Sequence, residues 1–182
     1  MPSTSSMHDS NWQIKTGRED KLIAGFAALA ISIHLLESTL PSPLPGIKPG
    51  LANLVTLYVL IRHGWQMAAN VTLLRIIAAS LLLGSFLSPT FALSLAGALA
   101  SLVILGLAWH IPGKPFGPVG LSILAALSHI TAQIVTAYWL FIPHASLFNL
   151  LPILLTTALI SGTLGGILVS RIIDRTRSLT MS

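Results

Sequence analysis

Long apolar runs, separated by short stretches rich in proline, glycine or single charges, dominate the chain from Lys21 onward. A membrane-spanning helix needs about 20 predominantly apolar residues, with shorter or tilted helices allowed. On this criterion the pattern predicts six spans, at Lys21–Leu40, Leu51–Arg62, Gln66–Leu87, Thr90–Ile111, Val119–Ile142 and Ser146–Ile173. The predicted fold is therefore all-α, an integral membrane bundle of about six transmembrane helices.

The second predicted span is too short to cross a bilayer alone. Its residues rise only about 18 Å at about 1.5 Å each, against a hydrocarbon core of about 30 Å. A short helix is tolerated at membrane depth where protein or a water-lined cavity surrounds its ends. The segment that leads into it, Ser38–Leu54, holds four of the chain's eleven prolines. We therefore expect this loop to have a defined shape and to dip toward the bundle.

Composition agrees with a membrane protein. The 182 residues are 53% hydrophobic and 8% charged, whereas soluble domains carry about 25% charged residues. We predict one transmembrane domain, 21–174, between a disordered cytoplasmic tail, 1–20, and a basic cytoplasmic tail, 175–182. The chain has no cysteine, which excludes disulfides and thiol catalysis. Its net charge of +5 comes from scattered basic residues, not the stripe that a nucleic acid requires, so we predict no nucleic-acid partner.

The distribution of Lys and Arg predicts the orientation. With six spans, only Lys48 falls on one side, and Arg75 lies within the third span. The other side holds Lys15, Arg18, Lys21, Arg62, Lys114, Arg171, Arg175 and Arg177. Both termini are therefore predicted to be cytoplasmic, and the proline-rich loop faces outward.

Polar side chains inside the predicted spans are candidates for a binding site, because a charge at the centre of a span costs about 2.5 to 3.5 kcal/mol. They are His34, Glu37, Asn53, Asn70, Arg75, His129 and Gln133. A structural interpretation pairs Glu37 with Arg75 and gives His129 an interhelical hydrogen bond. The functional interpretation makes Glu37, Lys48, Asn53, Arg75, His129 and Gln133 substrate-binding residues. Because basic groups outnumber Glu37, such a site would suit a substrate with an anionic group.

Small residues form two further features. Ala24 and Ala28 lie four residues apart in "AGFAALAIS", and Ser161 to Gly166 read "SGTLGG". Small residues allow helices to pack closely. Packing inside the bundle and docking of a partner protein both explain the Ala24 and Ala28 surface. The glycine cluster is not a phosphate-binding loop, since no Gly-Lys-Ser/Thr follows it.

Three motifs, "LPGIKPGLANLVTL", "LLRIIAASLLLGSFLSPTFALSLAGALASL" and "SHITAQ", resemble a bacterial membrane family, the Gx transporters, also labelled heptaprenyl diphosphate synthase component I. The resemblance runs from about Leu22 to Ile173. In the third motif Ile130 stands where the family usually has Asn after the His, so the pocket is expected to differ there. The resemblance implies a multi-pass protein of the bacterial inner membrane.

This family is similar to the substrate-binding components of energy-coupling factor transporters, which bind micronutrients and associate with a transmembrane coupling protein and two ATPases. The resemblance implies that Pro41 to Gly50 form an outer lid and that Ala24 and Ala28 meet the coupling protein. We predict no cofactor and no metal site. Prolines would help a lid by reducing the entropy lost on closure.

The family's second label leaves an alternative function. Prenyl diphosphate synthases hold Mg²⁺ through clustered acids, since Mg²⁺ prefers hard oxygen ligands. The five acids of this chain, Asp9, Glu19, Asp20, Glu37 and Asp174, form no such cluster. We therefore predict that the chain is not an enzyme and has no catalytic residue. The alternative is a non-catalytic membrane subunit of a polyprenyl (heptaprenyl) diphosphate synthase.

Overall fold

Helices account for almost all of the structure, a computed structural model that describes residues 17–39, 51–113 and 115–179. Within these ranges there is no β-strand, so the predicted all-α fold is confirmed. The helices are α1 (Arg18–Thr39), α2 (Leu51–His63), α3 (Trp65–Leu82), α4 (Pro89–His110), α5 (Pro118–Leu140) and α6 (Leu151–Leu179). A short 3₁₀-helix, Ala145–Leu150, precedes α6.

The third predicted span is too long at its C-terminal end. It was predicted to reach Leu87, but α3 ends at Leu82. Gly84 and Leu87 both have a φ of 64°, which a right-handed helix cannot contain. Ser88 then caps α4 by accepting a hydrogen bond from the Phe91 amide, and proline follows at the first helical position. The turn at 83–88 is therefore defined by backbone conformation, although its residues are largely apolar.

Both predicted tails contribute residues to helices. The first helix begins at Arg18, inside the predicted tail 1–20, and most of that tail lies outside the described residues. At the other end α6 continues to Leu179, beyond the predicted domain boundary at Asp174. The first five residues of the predicted tail 175–182 are thus helical. Charged residues at these positions do not prevent a helix from continuing past the membrane surface.

Four described segments are long and apolar enough to cross a membrane: Trp65–Leu82, Pro89–His110, Pro118–Leu140 and Ala145–Thr176. By contrast, α2 has 13 residues and spans about 20 Å. It packs against α1, α3, α5 and α6, and its buried residues are Val55, Thr56, Leu57, Val59 and Leu60. Protein therefore surrounds this short helix, as its length requires in a membrane.

Helices that follow one another along the chain run antiparallel. The ring of Phe26 near the start of α1 lies 5.4 Å from that of His63 at the end of α2, and Trp65 at the start of α3 donates to Leu102 on α4. One end of the bundle therefore contains the start of α1, the ends of α2, α4 and α6, and the starts of α3 and α5. We call it the basic end, because it carries the exposed residues Lys21, Arg62, Arg171 and Arg175.

A single residue, Gly64, joins α2 to α3. Its φ of 93° lies in the region that residues with side chains rarely adopt. Its amide donates to Leu60 at 3.0 Å, and its carbonyl accepts from Ala68 at 3.2 Å, so both backbone groups remain satisfied. Glycine at this position lets two helices meet with no loop between them.

Glycines also determine the contact between α5 and α6. A Cβ at Gly166 would lie 2.5 Å from the Val119 Cα, and one at Gly162 would lie 3.1 Å from the Ile123 Cα. Backbone atoms cannot move aside as a flexible side chain can, so these positions require glycine for the observed packing. The "SGTLGG" segment is thus a helix-packing surface within the bundle.

Candidate functional site

Arg75 lies in the middle of α3 and is only 7% exposed. It lies ten positions after the first residue of the helix and seven before the last, rises of about 15 Å and about 10 Å, which places its backbone well inside the helix. An ionisable side chain at such a depth is expensive in a membrane and is usually functional. Arg75 is therefore the starting point for the candidate site.

His129, near the middle of α5, is the polar residue that the structure brings toward Arg75. The two side chains are close enough to interact electrostatically, and His129 makes a hydrogen bond with the backbone of Gly97 on α4. A Cβ at Gly97 would approach three imidazole atoms to within 2.7 to 2.8 Å. Because Gly97 has no side chain, the imidazole of His129 fits against the backbone of α4. The site thus involves Arg75 on α3, Gly97 on α4 and His129 on α5.

A neighbouring hydrogen bond fixes how α4 and α5 align. The Ser101 hydroxyl lies 2.9 Å from the Ala125 carbonyl oxygen on α5 and 3.0 Å from the Gly97 carbonyl oxygen on its own helix. Ser101 and Ala125 each lie one turn from Gly97 and His129, toward the basic end. This contact holds the two backbones at the spacing in which the imidazole fits against Gly97.

The remaining predicted binding residues lie at different distances from this pair. Gln133 is half-buried one turn after His129, and Asn53 is half-buried in the first turn of α2. Glu37 lies in the last turn of α1, but its side chain is outside the described residues, as is the whole of Lys48. Of the other embedded polar residues, Asn70 is exposed on α3.

Asn53 and Arg75 occupy the same level of the bundle. The Thr56 and Thr72 hydroxyl oxygens are 2.9 Å apart, a buried hydrogen bond between α2 and α3. Because these helices run antiparallel from Gly64, one further turn along each reaches Asn53 and Arg75 respectively. The register of this helix pair therefore places Asn53 and Arg75 at a similar depth in the bundle.

Gly97 was missed by the sequence analysis. It lies in the Ala-rich stretch "LAGALAS" of α4, where a glycine within a long apolar helix indicates close approach of a neighbour. The sequence does not say which neighbour approaches, since His129 is thirty-two positions away along the chain.

Two surface grooves lie outside the site. One, of about 490 Å³, lies at the basic end and includes Trp65, Gly106 and His110. The other, of about 350 Å³, lies between α4 and α5 at the opposite end and includes Leu87, Phe91 and Thr136. Neither groove includes Arg75 or His129. Among the described residues, no group of three His, Cys, Asp or Glu side chains could hold a metal.

The predicted docking residues lie on the surface. Ala24, Gly25 and Ala28 are exposed, whereas Ala27 and Ala30 on the same helix are buried. In the described chain α1 packs against α2 and α3, while α6 packs against α2 and α5. Packing inside the bundle therefore does not explain the small residues at Ala24 and Ala28. The small residues of α1 that face the bundle are Ala27 and Ala30.

Comparison with known proteins gives one match. A family model described as heptaprenyl diphosphate synthase component I matches residues 26–172. No curated protein and no solved structure is significantly similar to the chain. The matched region runs from α1 to α6 and includes Ala28, Arg75, Gly97 and His129, while Ala24 precedes it.

Proposed function

The chain belongs to the heptaprenyl diphosphate synthase component I family, and we propose that it is a membrane-embedded component that binds a small micronutrient-like molecule for uptake. The helical bundle has the length and apolar character of a membrane protein. A separate partner would supply the energy. Its place would be the bacterial inner membrane, with both termini in the cytoplasm.

The observation that carries this proposal is the buried position of Arg75 beside His129. A buried guanidinium and an imidazole that interacts with it electrostatically lie deep in the bundle, and the guanidinium is suited to a ligand with an anionic group. Asn53, at the level of Arg75, and Gln133, one turn from His129, would add neutral hydrogen-bonding groups. Glu37 and Lys48 would complete the site from the segment around the proline-rich loop.

A lid would cover the site from outside. The residues from Pro41 to Gly50 connect the end of α1 to the start of α2 and lie outside the described part of the chain. They begin four residues after Glu37 and end three before Asn53, so a closed lid would lie over both. Prolines in this segment would lower the entropy lost on closure.

The sequence contains no ATP-binding motif, so active transport would use either a partner or an ion gradient, and we propose a partner. Exposed Ala24 and Ala28 on α1 would form its docking surface. Small residues allow close approach of a partner helix, and α1 has a face free of contacts with α4, α5 and α6 in the described bundle. We propose a transmembrane coupling protein with associated ATPases as this partner.

Purification from native membranes tests the partnership. An ATP-binding-cassette ATPase should copurify with the wild-type protein in mild detergent and be lost from the double variant Ala24→Trp with Ala28→Trp. Leu99→Trp on α4, a position 45% exposed, is the control and should retain the ATPase. Equal recovery from both variants, each with a wild-type melting temperature, would contradict the docking surface.

The family's name supports a second candidate, a non-catalytic membrane subunit of a polyprenyl diphosphate synthase. The five acidic residues form no cluster suited to Mg²⁺ and diphosphate, which fits an auxiliary subunit. A polyprenyl synthase that copurifies in place of ATPases, and whose activity rises when this chain is added, would favour this candidate.

A further inference from the structure

A stripe of exposed residues runs along the outer side of α3. Asn70, Leu74, Ile77 and Leu81 are all exposed, whereas Arg75 on the same helix is buried. We call these four exposed residues the α3 seam. Because α3 is one of the helices long and apolar enough to cross a membrane, the α3 seam faces the surrounding lipid in a single copy of the chain.

Asn70 is the polar member of the α3 seam. It lies five positions after Trp65 at the start of the helix, a rise of about 8 Å, and its short side chain does not reach the headgroups from that depth. A carboxamide has two N–H donors and an oxygen that accepts. Backbone N–H groups within a helix are already bonded, so the oxygen needs a donor from another side chain.

Exposed hydroxyl groups on other helices do not raise this problem. Thr131 on α5 and Thr156 on α6 are exposed, and each donates to the carbonyl oxygen four residues earlier in its own helix, at 2.8 Å and 2.7 Å. One such bond satisfies the single proton of a hydroxyl group, but not a carboxamide. Asn70 is therefore better suited to a helix–helix contact than to contact with lipid.

The spacing of the α3 seam favours a second helix packed along it. Successive seam residues are four, three and four positions apart, the spacing of the contact residues in left-handed helix pairs. In such pairs a single Asn fixes the register and the number of chains. A two-fold axis along the membrane normal brings each residue to the depth of its own counterpart. An Asn carboxamide both donates and accepts, so it is complementary to its counterpart.

We propose that two copies of this chain form a two-fold dimer through the α3 seam, with the Asn70 carboxamides hydrogen-bonded to each other. Leu74, Ile77 and Leu81 then pack against their counterparts. The α3 seam shares no residue with the proposed ligand site or with the Ala24 and Ala28 surface. The dimer and the proposed function can therefore fail independently.

Cysteine cross-linking in native membranes tests the dimer. The chain has no cysteine, so a single introduced cysteine reports only its own neighbours. Mild oxidation of Ile77→Cys should give at least fivefold more disulfide-linked dimer than Leu99→Cys on α4. The two positions are matched, since they are 44% and 45% exposed. Equal dimer yields would overturn the proposal. Cross-linking of Ile77→Cys to a different protein in place of a second copy would also overturn it.

Variants of Asn70 test the hydrogen bond. In liposomes, energy transfer between labelled copies measures the dissociation constant of the dimer. Asn70→Leu should raise this constant about tenfold, the scale of side-chain hydrogen bonds between membrane helices. Asn70→Gln retains a carboxamide and should stay within about threefold of the wild type. Because Asn70 is exposed in one copy, the melting temperature of the dilute Asn70→Leu monomer should be unchanged. Equal dissociation constants for the wild type and Asn70→Leu would overturn the proposal and would mean that Asn70 is satisfied within one copy.

Discussion

The imidazole of His129 lies directly against the α-carbon of Gly97, so that a Cβ there would come within 2.7 Å of the ring. A glycine on α4 thus leaves room for the imidazole of the histidine on α5, which interacts electrostatically with Arg75 on α3. Three helices that are apolar along most of their length meet at this polar point. The candidate site depends on this contact as much as on its charged residues.

Gly97→Ala should therefore move the imidazole and destabilise the bundle by about 1 to 3 kcal/mol, the usual effect of overpacking. Thermal unfolding in detergent measures the change. Gly25→Ala is the control, because Gly25 is exposed on α1 and a Cβ there meets nothing within 4 Å. The control should be neutral or slightly stabilising, since alanine favours helices. Equal melting temperatures for the two variants would show that the His129 contact has no structural role.

The contact between α5 and α6 should tolerate an added side chain even less well than the contact at Gly97. Gly166→Ala would place a Cβ 2.5 Å from the Val119 Cα and 3.1 Å from the Pro118 carbonyl oxygen. Because both are backbone atoms, the helices must separate, and we expect a loss of about 3 kcal/mol in unfolding free energy. Gly120→Ala on α5 is the control, since its nearest neighbour is Phe116 Cδ1 at 3.5 Å, an ordinary contact. A Gly166→Ala variant as stable as this control would contradict the packing described.

Much of the fold could be predicted from hydropathy, because each apolar run had to become a helix in lipid. The long helices and the short α2 follow from that rule. The end of α3 could not be predicted in this way. The turn that contains Leu87 includes apolar residues that would also fit a helix, and it is distinguished by its backbone φ angles. Likewise, hydropathy could not show that α6 continues to Leu179, since a helix is stable on both sides of the membrane surface.

The site could be predicted only in part. Arg75 and His129 were visible as polar groups in apolar spans, and the depth of Arg75 agrees with that prediction. Their association with Gly97 depends on the crossing of α3, α4 and α5, which leaves no signal in local sequence. The exposure of Ala24 and Ala28, and the burial of Ala27 and Ala30, likewise depend on which face of α1 meets α2 and α3.

Topology gives a prediction that is independent of any ligand. The basic end should face the cytoplasm, since Lys and Arg are enriched there. Reporter fusions at Ser182 and within the proline-rich loop near Ser42 should therefore report opposite sides of the membrane. A periplasmic C-terminus would contradict the orientation and would remove the proposed outer lid.

A structural role for Arg75 predicts a different pattern from a binding role. Were Arg75 only the partner of Glu37, Arg75→Gln would leave a buried carboxylate alone and cost about 3 to 5 kcal/mol of stability. The double variant Glu37→Gln with Arg75→Gln would then recover most of that stability and bind ligand normally. Melting temperatures of the two single variants and the double variant measure this coupling.

Mass spectrometry of the small molecules that copurify with the protein in mild detergent tests the proposed binding site most directly. The wild-type protein should retain an anionic compound. The stably folded double variant Glu37→Gln with Arg75→Gln should retain at least tenfold less, because the lost charge-assisted hydrogen bonds are worth about 2 kcal/mol or more. The same compound at the same occupancy in both proteins would contradict the assignment of Arg75 to a ligand site.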